Sequence, residues 1–341
     1  MNEREIIEHI ASLGRLESNS DLVKGIGDDC AVVRRDDQRA WLLTLDTLIE
    51  SVHFDCSFHP AYKLGRKVVS VNVSDIGAMG GTPLFALLSV GMPPDFDQEW
   101  FCQFSSGITD ACYEYGVLLI GGDTVKSPQG LNFSLTLIGE ARLDEVIYRS
   151  TAQLGDTVWV SGPLGWAAAG LELLQQGKGE LGGELEPLFE KHRNPRARVS
   201  FGASLGRSGL IHAMMDLSDG LATDLAHLCK ASGVGAVFDA ELLPGKSLLC
   251  QATQHIKKDP VDWAIRGGED FELLFTASSE SESQLLAMAQ EFDLRATPVG
   301  RITQDLGVRM RRRAANGRLV EEPVSYTGFD HFQEPGKRDG K

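Results

Sequence analysis

A chain of 341 residues, 42% hydrophobic and 24% charged, is long enough for two domains of ordinary size and has the composition of a soluble globular protein. Its net charge of -15, from 33 basic against 48 acidic residues, disfavours nucleic acid or an anionic membrane surface as the main partner. No run approaches a membrane span, no signal-like segment follows the charged N-terminus and the six cysteines form no C-x-x-C pair, so a cytoplasmic protein with reduced thiols is expected.

In chain order, Asn2 and Glu5 have capping-box spacing, and Ile6, Ile7, Ile10 and Leu13 follow at helical intervals, so a short amphipathic helix opens the chain. Residues 21–27 read as a mobile polar loop, and 31–33 and 41–45 as the two strands of a hairpin. Pro60 can start a helix that ends near Gly80-Gly81, yet Val69, Val71 and Val73 alternate as a strand would, and the pattern leaves both readings open. A buried strand is expected at 84–90, a helix at 97–115 stopped by Gly116, and strands at 117–120 and 132–138. Gly155-Asp156 marks a turn, and the domain boundary is set near 145: an N-terminal domain over 1–145, a C-terminal α/β domain over 146–332 and a frayed tail over 333–341. Helices are expected at 164–175, 196–206, 220–231 and 281–292, with strands at 234–239, 271–276 and 297–302. The fold class is α/β (α+β).

The chemistry-bearing residues sit at joints between these elements. From Val68 to Gly81 the one ionisable side chain is Asp75, and burying a carboxylate is costly unless something compensates it. Gly25-Ile26-Gly27-Asp28-Asp29 pairs two acids after a flexible loop, although a plain turn would look the same. Asp46 ends an expected strand with His53 seven residues later, and Gly121-Gly122-Asp123-Thr124 repeats the arrangement after another. Asp216-Leu217-Ser218-Asp219-Gly220 leads into a helix; N-capping by Ser218 or Asp219 explains part of it but not Asp216. Glu269, Asp270 and Glu272 follow the Gly267-Gly268 pair. Six acid-bearing joints fit hard divalent cations with oxygen ligands. Zinc motifs, a P-loop and the protein-kinase signatures are all missing. Bound ATP would therefore be held by metal ions, glycine amides and a few basic groups such as Arg149.

These blocks, with Val71-Asn72-Val73-Ser74-Asp75-Ile76 and Gly328-Phe329-Asp330-His331-Phe332, resemble the thiamine-monophosphate kinase family of the aminoimidazole ribonucleotide synthetase-like superfamily. The resemblance favours helix for the stretch around Asp75. It implies a two-domain fold with an N-terminal mixed sheet and helices forming a homodimer, and a C-terminal α/β domain. The implied reaction is ATP-dependent phosphorylation of thiamine monophosphate to thiamine diphosphate, the last step of thiamine diphosphate biosynthesis. Transfer would be direct and in line, with several Mg2+ ions and no dedicated general base. Position by position, Asp29, Thr44, Leu45, Asp46, Asp75, Asp123, Asp216 and Asp219 would bind metal. Gly122, Arg149 and Ser218 would contact ATP, and His53, Glu269 and Phe329 the thiamine phosphate. Two departures stand out, Leu45 where a hydroxyl residue is usual and Ser51 where glycine is common; Phe329 lies where Trp or Tyr is frequent, so stacking would survive. Among other ATP-dependent enzymes of the superfamily, aminoimidazole ribonucleotide synthetase is disfavoured by the His331 block, selenophosphate synthetase by a first cysteine only at Cys30 and a hydrogenase-maturation relative by the lack of a cysteine after Cys250; a non-catalytic Mg-nucleotide-binding regulator is disfavoured by the intact set of six aspartates.

Overall fold

The computed structural model describes residues 3–13, 20–314 and 316–325. Asn2, the block around Phe329 and His331, and the tail lie outside them. The opening helix, α1 (Glu3–Leu13), forms where the isoleucine spacing places it.

The N-terminal half builds a six-stranded sheet from β1 (Leu22–Lys24), β2 (Ala31–Arg34), β3 (Arg39–Ile49), β4 (Thr82–Met92), β5 (Leu118–Lys126) and β6 (Asn132–Arg142), in the order β1-β2-β3-β6-β4-β5. Only β4 and β5 run parallel. The β2–β3 hairpin is as expected. Residues 22–24 are not loop but a short strand on β2, because main-chain pairing needs no apolar side chains to announce it. β3 runs on to Ile49, so Asp46 sits within the strand rather than at its end. β6 alternates: Phe133, Leu135 and Leu137 are fully buried and their neighbours half-buried. β4 is less buried than its apolar run suggests, with Leu87 exposed on its outer face.

Two helices cover this sheet. The ambiguous stretch is α2 (Ala61–Ala78), with Pro60 at its N-cap. α3 (Gln98–Tyr115) is capped by Asp97, which accepts from Glu99 N, and ends at Gly116 in the left-handed conformation.

The C-terminal half contains β7 (Thr157–Val160), β8 (Ile211–Asp216), β9 (Gly235–Asp239), β10 (Leu273–Ala277), β11 (Thr297–Thr303), β12 (Gly307–Arg313) and β13 (Leu319–Pro323), ordered β13-β12-β9-β11-β7-β10-β8. Its helices are α4 (Trp166–Gln175), α5 (Glu186–Arg193), α6 (Val199–Ser208), α7 (Leu221–Ser232), α8 (Lys246–Ala252), α9 (Pro260–Arg266) and α10 (Glu282–Glu291). The four expected helices and three expected strands of this half appear within about one helical turn of their anticipated ends. The short α5, α8 and α9 and the arginine-rich β12 carry too little apolar periodicity to be anticipated.

α2 is the axis of the molecule. It packs on β3 and β6, on α3, and on α6 and β8 of the other half, and fifteen of its eighteen residues are buried. A helix covered on nearly every side has no polar face, so its sequence shows no helical period. Close packing is possible because glycines sit at the crossings: a Cβ on Gly65 would lie 2.1 Å from Phe104 O, and one on Gly202 of α6 would lie 2.1 Å from Gly77 O.

One buried ion cage ties the C-terminal helices to its sheet. Glu272, fully buried just before β10, accepts from Ser161 Oγ (2.6 Å), from Arg198 Nε (2.7 Å) and Nη2 (2.6 Å), and from Lys191 Nζ of α5. Burial alone would raise its pKa, but Lys191 and Arg198 outweigh it and hold the carboxyl down at about 2. Glu272→Gln leaves two cations unpaired and is expected to cost roughly 3–5 kcal/mol at pH 7, read by urea denaturation. The depressed pKa stabilises the fold above the ordinary glutamate value of 4.5 and this contribution is lost as pH falls towards 2, so the gap between the two proteins should close across that window.

Candidate active site

Three elements deliver carboxylates to one point. Asp29 comes from the turn between β1 and β2, Asp75 from the last turn of α2 and Asp216 from the end of β8, with oxygens within 4.8 Å of one another. Neutral donors fix them in place. Thr44 Oγ1 donates to Asp75, and Ser74 Oγ donates to Asp216 Oδ2 at 2.5 Å. Asn72 Oδ1 accepts from Asp46 N at 3.0 Å while its amide donates to Val68 O, so α2 also aligns the strand carrying Asp46. On the far side, Arg149 donates through Nη2 to Asp29 and through its main-chain N–H to Asp28 Oδ1 at 3.2 Å. Lys24 Nζ lies 3.8 Å from Asp28 Oδ2.

That supply of positive charge does not match the demand. Burial, and then the like charges of Asp46, Asp216 and Asp29, push Asp75 well above the ordinary carboxylate range. Burial does the same to Asp29 against the pull of Arg149, and lifts Asp46 and Asp216 to about 6. Asp29 Oδ2 is buried with no hydrogen-bond partner among the described residues. An all-oxygen donor set with an orphaned buried oxygen and excess negative charge fits a hard divalent cation.

The cluster forms part of the wall of a cavity of about 760 Å3 lined from both halves of the chain. Asp46, Asp75, Asp216, Ser218 and Asp219 line it together with His53, Glu269 and the apolar side chains of Val71, Phe58 and Phe271. Two loops are zipped together along one wall, with Glu269 N donating to Ser218 O (2.8 Å) and Phe271 N to Leu217 O (2.9 Å). Gly268 is glycine for that reason: a Cβ there would lie 2.4 Å from Ser218 O. The three acids of this loop have three separate roles. Glu272 belongs to the ion cage. Asp270 caps α4, accepting from Gly165 N and, at 3.0 Å, Ala167 N, and burial raises its pKa to about 7. Glu269 alone reaches the cavity, pairing behind it with Lys67 Nζ at 2.7 Å.

The turn after Asp216 is held by a residue the sequence reading missed. Asp224, in the first turn of α7, accepts from Asp219 N (3.1 Å) and Gly220 N (3.0 Å), so capping comes from inside the helix rather than from Ser218 or Asp219. An acid in the first turn of an anticipated helix was the available signal.

Family models cover most of the chain. AIR synthase related protein, N-terminal domain, matches residues 27–141, and AIR synthase related protein, C-terminal domain, matches 153–312. A thiamine-monophosphate kinase of Haemophilus influenzae is 34% identical over 309 residues, covering 91% of this chain and 92% of that protein. The solved structure of AaThiL complexed with AMPPCP and TMP superposes with a TM-score of 0.83 at 35% identity, covering 97% of each chain. The thiamine-monophosphate kinase from Stenotrophomonas maltophilia K279a gives a TM-score of 0.74 at 36% identity, over 90% of this chain and 94% of that one. The chain belongs to the thiamine-monophosphate kinase family. It is an enzyme, a kinase with the two-part mixed α/β fold of that family.

Register places the remaining residues that the thiamine-monophosphate kinase resemblance singled out. Asp46 shares a row across the sheet with Leu135, Leu88 and Gly122. Asp123 shares the next row with Ser89, Ser134 and Thr47, whose side chains point to the opposite face. Two strands also separate β5 from β3, about 14 Å at ordinary strand spacing. Within one chain, then, Gly122 and Asp123 stand apart from the cluster. A Cβ on Gly122 would lie 1.8 Å from Leu88 O, so glycine is needed there by the sheet itself. Leu45 points outward, 59% exposed, and it is the neighbouring Thr44 that reaches the acids. His53 Nδ1 accepts from Ile49 N at 3.0 Å, which leaves its ring proton on Nε2. Phe329 lies outside the described residues.

Ser51 takes φ 66 in the turn after β3. A side chain in that left-handed conformation costs roughly 1 kcal/mol. Ser51→Gly is accordingly expected to raise the melting temperature by about 2 °C in a scanning calorimeter.

Proposed function

We propose that this chain transfers the γ-phosphoryl group of ATP to thiamine monophosphate, giving thiamine diphosphate and ADP, the last step of thiamine diphosphate biosynthesis. The reading rests above all on the three crowded carboxylates beside a cavity that also exposes Glu269 and apolar side chains. The similarity to a protein solved with AMPPCP and TMP supports it.

The acceptor is a phosphate monoester, already anionic, and needs no strong base to attack in line. Bound Mg2+ would supply the positive charge that lets two polyanions approach and that stabilises the departing ADP. Asp29, Asp46, Asp75, Asp216 and Asp219, with Thr44 and the backbone of Leu45, would hold it. Arg149, between the two halves, and Ser218 would orient ATP. His53 and Glu269 would receive thiamine monophosphate, the carboxylate facing its cationic thiazolium and Phe329 offering a ring face. The domain division falls near residue 145, and the enzyme works in the cytoplasm.

We also assign a homodimer through the N-terminal sheet. β5 is an edge strand with all nine residues exposed, Leu118 (63%) on it and Leu87 (39%) on neighbouring β4 leave apolar surface open, and Leu45 (59%) on β3 adds to the exposed apolar surface of the same sheet. Asp123 and Gly122 lie on this strand and would meet the second copy. Leu87→Glu combined with Leu118→Glu should convert a species of twice the chain mass to monomer in light scattering.

Purified protein incubated with ATP, Mg2+ and thiamine monophosphate should yield thiamine diphosphate by chromatography; ADP without that product would overturn the assignment. Asp75→Asn should lower kcat by at least about 100-fold. In the metal-free protein the same change removes one of the crowded like charges and should raise the melting temperature by about 2 °C. A fall in both would point to damage of the fold instead.

A further inference from the structure

Besides Asp75, α2 carries Lys67, a charged group whose side chain has no exposed surface. Lys67 lies two turns before Asp75, on the same face through Val71, about 12 Å away along the helix axis. Its side chain is 0% exposed, and its Nζ lies 2.7 Å from Glu269 Oε1. Among the described residues no other carboxylate pairs with it. The other Glu269 oxygen lies 3.2 Å from His192 Nδ1, and His192 packs edge-on against His59 at 5.6 Å between ring centroids. Both histidines are kept neutral, first by burial and then by Lys67, so the positive charge facing Glu269 from behind is that of Lys67. His59 Nε2 is engaged with Arg193 O at 2.9 Å.

Glu269 itself sits at φ 67, a conformation a glutamate adopts only when its surroundings impose it. Its side chain keeps 27% exposure and lines the cavity, so Lys67 and His192 hold the two carboxylate oxygens from behind while the exposed part of the side chain faces the cavity. A fully buried ammonium is expensive unless paired. Here the pair spans the two halves of the chain and ends at the cavity wall.

We propose that Lys67 is a positioning residue for the acceptor: it fixes the Glu269 carboxylate where that group meets the ring cation of thiamine monophosphate. The inference rests on the substrate reading above. α2 would then act as a ruler, setting the acceptor ring through Lys67 and the reacting phosphates through Asp75. Lys67 has no exposed atom with which to touch a ligand, so it acts through Glu269.

The test uses the full chain as wild type, Lys67→Met, Glu269→Gln and the double variant. Steady-state rates give KM for thiamine monophosphate and for ATP. Calorimetry gives Kd for thiamine monophosphate and for a thiamine monophosphate analogue whose thiazolium is replaced by a neutral ring. Lys67→Met should raise KM for thiamine monophosphate by about tenfold, leave KM for ATP within about twofold, and abolish the preference for the cationic ring. The double variant should match Glu269→Gln within about twofold, since Lys67 then has nothing to position. If Lys67→Met does not fold, that comparison still decides, because in the double variant neither charge is left alone. Equal increases in both KM values, or losses that multiply in the double variant, would overturn the proposal. Should the wild type transfer no phosphate to thiamine monophosphate, the substrate reading fails by itself; calorimetric preference for the cation, lost in Lys67→Met, would still uphold the role of Lys67, and no such preference would overturn it.

Discussion

Asp29, Asp75 and Asp216 hold carboxylate oxygens within 4.8 Å of one another where little water reaches them, and much of the architecture follows from keeping them there. Like charges at that separation repel strongly in a medium of low dielectric constant. Three different elements must therefore be locked rigidly before the acids can be brought together. The locks are mostly neutral. Thr44 and Ser74 fix two of the three carboxylates, and Asn72 fixes the strand beside them. A hydroxyl donor sets the position of an acid without cancelling its charge, so negative potential is preserved for a cation. Arg149 is the exception, and it sits at the linker between the two halves.

Elsewhere the same chain treats buried acids in the opposite way. Glu272 is surrounded by Lys191, Arg198 and Ser161 and is fully compensated, which makes it a structural element. Glu269 is compensated from behind and open in front. Asp270, in between, gives its oxygens to the N-terminus of α4. Three acids within four positions thus serve a ligand wall, a helix cap and an ion cage. What separates them is the direction in which each side chain leaves a tightly turned loop, where both Glu269 and Phe271 have positive φ.

α2 joins these two treatments. Near one end Lys67 neutralises Glu269, and at the other Asp75 joins acids that remain uncompensated. The glycines at its crossings let both halves of the chain approach its backbone, so the spacing of the two groups is fixed by the rigidity of a helix rather than by loops.

Signals that act within a few residues could be read directly. Asp97 and Gly116 bound α3 because a cap and a left-handed residue are local requirements, and β6 shows its alternation because one of its faces meets solvent or a polar layer. The acids of the cluster were legible as oxygen ligands because carboxylates in small, apolar settings need an explanation whatever the fold. α2 was ambiguous because burial on every side erased its period. Lys67 carries no local signal: it stands immediately before the apolar run that isolates Asp75, and a lysine in sequence gives no sign of being buried. The sequence by itself determined the local signals, caps, turns and alternation, and the unusual supply of carboxylates in small, apolar settings. Only the tertiary structure decided the assignment of each acid, since register turns Asp46 inward and Asp123 outward, and contacts between residues far apart in the chain select which carboxylates meet a cation and which meet one another.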